Sequence, residues 1–149
     1  MLRQLSISLQ TKFDHTAKEN DKMKKALPTI LIGFLLIALL DSIGSIASRH
    51  LSFSYGYLLP FSFLIYTAIP FFVAKRCDKK TSVISGGLLG LFDATIGWKI
   101  SIMLHANSGD SNINITPPIF IIVAVIVTLT GILFGLLGWW LAVRFSVNK

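Results

Sequence analysis

Residues 120 to 143 read FIIVAVIVTLTGILFGLLGWWLAV, twenty-four in a row without one charge. An apolar run of this length spans a bilayer by default. In hydrocarbon it must be helical, because an unpaired backbone amide there costs several kcal/mol. A soluble four-helix bundle needs a polar face on every helix, and this segment has none.

Three more apolar blocks precede it. The four predicted spans cover about 27–47, 55–74, 82–104 and 118–143, within a membrane domain of residues 26–145. At about 1.5 Å of rise per residue each is long enough to cross a core of about 30 Å. The expected fold class is therefore all-α: a polytopic membrane protein with four transmembrane helices in a compact bundle. Only 14% of residues are charged, against about 25% in an average soluble domain.

The net charge of +7 gathers at the ends of the apolar blocks. Topology and anionic headgroups explain this more simply than nucleic acid does, and the basic segments lack any nucleic-acid fold signature. Residues 1–25 hold Arg3, Lys12, Lys18, Lys22, Lys24 and Lys25, the second loop is KRCDKK, and the last residues carry Arg144 and Lys149. The first loop has only Arg49, and the third has neither lysine nor arginine. Positive-inside logic places both termini, including the 146–149 tail, and the KRCDKK loop in the cytoplasm of a cell (plasma or inner) membrane. Tyr55 and Tyr57 fit an outer interfacial belt, and Trp139 and Trp140 an inner one.

The first span also admits a leader reading. Lys24 and Lys25, an apolar run and Ser45-Ile46-Ala47 resemble a cleavable signal peptide. The 25-residue stretch ahead of it is long for that role, and Asp41 interrupts the apolar run. Upstream, Leu2, Leu5, Leu9 and Phe13 share one helical face, so a short amphipathic helix over 2–13 on the inner headgroups is one expectation. A solvated tail is the other, and DHTAKENDKMKK (14–25) favours it.

Within the spans, two carboxylates stand out. Asp93 lies about 18 Å into the third span, and Asp41 about 20 Å past Pro28 in the first. A bare carboxylate at such depth costs at least about 2.5 to 3.5 kcal/mol, and intramembrane acids are functional candidates by default. Ser82, Gly86, Gly90, Asp93, Gly97 and Ser101 fall on one face of the third span. Thr29, Gly33, Asp41, Gly44 and Ser48 share a face of the first, and Gly131, Gly135 and Gly138 a face of the fourth. The faces carrying Gly86, Gly90, Gly97, Gly131, Gly135 and Gly138 suit close helix packing. The texts ALLDSIGS (38–45) and GLFDATIGW (90–98) are alike, as in a duplicated helix pair. Lys99 points away from Asp93 and is expected to snorkel to the headgroups. Pro70 is expected to kink the second span.

Two roles for the acids follow. Asp41 and Asp93 form a proton or cation site, or each is tied to Ser42, Ser45, Thr95 or a backbone carbonyl and fixes helix register. Asp41, Asp93, Ser42 and Thr95 are thus the candidate polar site. Glycine stripes and small size favour a structural or accessory membrane protein, a homo-oligomer or a subunit of a larger complex. The competing class is a small proton- or cation-coupled transporter or channel using Asp41 and Asp93. Partners are the lipid bilayer and a second copy or another membrane protein, not nucleic acid.

No catalytic pattern is present, so an enzyme is not expected. The three histidines, His15, His50 and His105, lack metal-ligand spacing, although His50, His105 and Asp110 share the outer loops. Cys77 is the only cysteine, which leaves no intrachain disulfide. No cofactor or metal is implied. Asn114-Ile115-Thr116 fits a glycosylation acceptor but sits almost on the membrane.

Overall fold

The computed structural model describes residues 2–107 and 116–146, with backbone alone for 2–15. The described residues are helical and contain no strand. Helix α1 covers Leu2–His50, and a single 3-10 turn over Tyr55–Leu58 leads into α2, Leu59–Ala74. Helix α3, Lys79–Phe92, passes through a π turn, Asp93–Gly97, into α4, Trp98–Met103. Helix α5 covers Pro117–Ser146. Four rods among the described residues are long and apolar enough to cross a membrane, the third being α3, the π turn and α4 together. The chain is a multi-pass membrane protein by this measure.

Polarity is distributed as a lipid solvent requires. Leu31, Leu35, Ile43, Leu64, Ile121, Leu129 and Leu133 face outward, while Asp41, Ser45, Ser48, Ser82, Ser85 and Ser101 are buried. Without water outside, burying apolar side chains gains little, and association rests on close packing and buried hydrogen bonds. The most extensive seam joins α3 to α5, and α3 also meets α1 and α2.

The glycines of α3 and α5 are spent on each other. A Cβ on Gly86 would strike Gly131 O and stand 2.8 Å from Gly135 Cα, and one on Gly90 would stand 3.0 Å from Thr128 Cα. Gly138 meets the α2 backbone instead, with Phe71 N 2.9 Å from its would-be Cβ. Ser82 Oγ, wholly buried, donates to Pro70 O at 2.9 Å and to Gly135 O at 3.4 Å, joining three helices at one point. The chain closes these glycine faces internally, since antiparallel neighbours place α3 and α5 back to back. Helix α2 runs through Pro70 without interruption.

The basic end is tied by side chains. Asp78 caps α3, accepting from Thr81 N at 3.1 Å, and pairs with Lys22 of α1 at 2.7 Å. This cap starts α3 three residues before the expected 82. Lys80 pairs with Glu19 at 2.5 Å, and Lys79 lies 4.5 Å from the Trp139 ring. The start of α1, the KRCDKK turn and the end of α5 therefore share one end of the molecule.

Residues 14–25, for which a solvated tail is one expectation, continue α1 as helix, and from Thr16 to Lys25 most of them are exposed. The segment is rich in good helix formers and gains partners in the turn. At 49 residues, α1 extends about 74 Å, beyond the roughly 40–45 Å of a whole bilayer. The face presented by residues 2–13, together with Asp110, Asn114 and the terminal Lys149, lies outside the described residues.

Candidate functional site

Asp41 and Asp93 meet. They arrive from α1 and from the π turn, and an oxygen of each lies against the same residue, Gly97. Neither enters an ion pair among the described residues. Lys99 is exposed on another side of the rod.

Each carboxylate is held from outside the pair by a tyrosine. Tyr55, in the 3-10 turn, donates its hydroxyl to Asp41 Oδ1 at 2.5 Å. Tyr66, on α2 and buried, donates to Asp93 Oδ2. Ser101 of α4 donates to the Tyr55 hydroxyl at 3.0 Å, extending the chain of hydroxyls.

The two remaining oxygens, Asp41 Oδ2 and Asp93 Oδ1, turn to the same spot, the bare Cα of Gly97. A Cβ there would overlap Asp41 Oδ2 and stand 2.5 Å from Asp93 Oδ1. Gly97 thus has a different role from the packing one expected of it: its missing side chain is the space in which the acids meet. Asp41 is 2% exposed, and its Oδ2 has no hydrogen-bond donor. A buried, unserved carboxylate oxygen is costly unless a proton or cation supplies what the chain does not.

The π turn makes this possible. It widens the helix locally, as such turns do at many functional sites. Asp93, Gly97 and Ser101 all face the interior at four-residue steps, with Gly97 and Ser101 buried.

Ser42 and Thr95 do not join the site. Ser42 Oγ donates to Ala38 O at 2.7 Å and Thr95 Oγ1 to Leu91 O at 2.7 Å. A hydroxyl on a helix reaches its own preceding turn without cost, and both side chains take that option. Ser45 Oγ is buried without a partner. Tyr55 departs from the interfacial-belt expectation: it turns inward, while Tyr57 remains 73% exposed.

Two hollows flank the pair. One, of about 160 Å³, is lined by both aspartates with Tyr55, Leu58, Leu59 and Ser62. The other, of about 150 Å³, lies between the π turn and α5 and is lined by Asp93, Tyr55 and Trp98 among others. Toward the basic end the interior is filled by Ile37, Tyr66, Ile69 and Leu89, with Phe34, Phe63, Phe92 and Phe134 packed around them. Toward the opposite end Ser45, Ser48 and Ser101 are buried, while Thr81, Ser82 and Ser85 are buried beyond the plug toward the basic end.

No group of three or more histidine, cysteine or acidic side chains able to hold a metal occurs among the described residues. Comparison with protein-family models, with curated proteins and with solved structures finds no match to this chain.

Proposed function

We propose that this protein is a small non-enzymatic carrier of the cell membrane whose Asp41–Asp93 pair takes up and releases protons. One observation carries the reading: Asp41 Oδ2, buried and without a donor, and Asp93 Oδ1 converge on the bare Cα of Gly97. Two carboxylates facing one spot do not both ionise, so the pair keeps at least one proton. The tyrosines occupy the outer oxygens, so the inner two are left for that proton.

The surroundings favour a carrier over an open channel. Hydroxyls lead from the pair toward one end, and a plug of aliphatic and aromatic side chains fills the other. A proton bound from one side requires rearrangement of that plug before leaving on the other. The lysine and arginine distribution supports cytoplasmic termini, with the hydroxyl-lined end facing outward. The glycine faces of α3 and α5 pack on each other within the chain, which favours a carrier over assembly through those faces.

Infrared difference spectroscopy on the protein in lipid tests this. A protonated-carboxyl band should be present in the unaltered protein and disappear on raising the pH. Asp41→Asn and Asp93→Asn should each shift it, because the remaining acid no longer shares its proton with a partner, and reduce gradient-driven proton flux in liposomes at least about tenfold. A spectrum without such a band at any pH ends the reading.

A further inference from the structure

The hollow beside Asp93 has the chemistry of a binding site. Its walls are Ala94, Val123 and Val127, its aromatic edges Tyr55 and Trp98, and its polar groups Asp93 and Ser101. Trp98 is held in a fixed plane by stacking on Phe120, with centroids 5.3 Å apart and planes 12° apart. The hollow lies between the π turn and α5.

The lining selects by charge. Asp93 repels an anion, and none of the lining residues is basic. The one carboxyl group and two hydroxyls of the lining are fewer than the roughly six to eight oxygens that Ca²⁺ takes. A cation with apolar substituents suits every wall: its charge lies near Asp93, its face against the indole and phenol rings, and its alkyl groups against the valines.

We infer that this hollow binds a small lipophilic organic monocation in exchange for one proton of the acid pair, an inference that rests on the proton-site reading above. The exchange balances. With both acids protonated the pair is neutral. When the cation enters, one carboxyl O–H bond breaks, that proton leaves to water, and the other stays shared between Asp41 and Asp93. The singly charged pair and the cation again sum to zero. Both states avoid a net charge in hydrocarbon, which is what makes the swap feasible at this depth.

The test uses the full chain in nanodiscs of phosphatidylglycerol, so that no lipid ammonium competes. Trp139→Phe and Trp140→Phe leave Trp98 as the single indole, and tetraethylammonium is the probe. Saturable change in Trp98 fluorescence is expected, with apparent affinity weakening about tenfold per unit fall in pH where one proton competes. Trp98→Ala, followed by calorimetry, should weaken binding at least about fivefold, and Trp98→Phe, which keeps an aromatic face, should stay within about threefold. Val123→Phe fills the hollow away from the acids: it should abolish binding and keep the infrared carboxyl band. Absence of saturable binding while that band is present overturns this inference and leaves the proton site standing. Loss of the band overturns the proton site itself. Binding that survives Asp93→Asn, or that releases no proton, also overturns the exchange.

Discussion

The Tyr55 hydroxyl lies 2.5 Å from Asp41 Oδ1 and donates to it, although the two residues belong to different elements on either side of a turn. With Tyr66 on Asp93, this bond fixes which carboxyl oxygens are left to face each other. Each phenol therefore orients an acid as well as satisfying it.

Tyr55→Phe and Tyr66→Phe should each leave a buried carboxyl oxygen without its donor. The expected cost is about 1 to 3 kcal/mol, read as a lower midpoint in denaturation by a harsh detergent. The infrared band of the pair should shift in both variants, since a carboxyl released from its phenol turns to other acceptors. An unshifted band in both would show that the tyrosines do not set the geometry of the pair.

The glycine contacts separate two adjacent positions. At Gly86 a methyl group meets the Gly131 carbonyl and the Gly135 backbone, which cannot withdraw without moving a helix. At Gly87 the nearest atom is Ile132 Cγ1, 3.0 Å away, on a side chain that can rotate. Gly86→Ala should cost about 1 to 3 kcal/mol or more, as overpacking does, and Gly87→Ala much less. Equal midpoints for the two would contradict the α3–α5 packing.

Asp78 has two jobs that substitution can divide. Its carboxyl is held well below the usual carboxylate range, first by the hydrogen bond from Lys22 and then by Thr81. A carboxyl depressed in the folded state stabilises it above the unfolded pKa of about 3.9. That contribution is lost as the pH falls through the depressed folded value. Its side chain is 41% exposed, so the ion pair itself contributes only about 0 to 1 kcal/mol. Asp78→Asn keeps an N-cap and should lose little, while Asp78→Ala should lose about 1 kcal/mol more. Thermal unfolding of both variants at neutral and acid pH gives the comparison.

Cys77 reports sidedness. It is the only cysteine and lies in the basic turn, its thiol donating to Lys22 O at 3.4 Å. Burial, with Asp78 adding to it, raises the thiol above its ordinary value. Little thiolate is present at neutral pH, so reaction should be slow. A membrane-impermeant maleimide should label it in inside-out vesicles and not in right-side-out ones. The reverse pattern would invert the topology.

Much of the architecture was legible because lipid imposes a coarse code. Long apolar blocks can only be helices, and glycines at steps of three and four mark where backbones meet. Asp41 and Asp93 were legible as a pair from their depth alone. Their phenolic partners were not. Tyr55 at the start of a span looks like any interfacial anchor, and Tyr66 lies in a helix apolar on all sides, where no periodicity shows which face turns inward. Ser42 and Thr95 misled because a nearby hydroxyl in sequence bonds its own helix first. The helical 14–25 segment depends on Asp78 and Lys80, more than fifty residues away in sequence. Such distant ties leave no mark on local composition.

The π turn holds one residue more than a regular helix needs over the same rise. Deleting Ala94 would let the rod wind evenly from Lys79 to Met103, every amide satisfied, and would swing Ser101 and Gly97 about 100° around the axis. The span would still insert and the α3–α5 seam would still close, yet the acids would lose their meeting place. A single codon, gained or lost at this point, therefore separates a rod that brings two acids together from one that holds them apart.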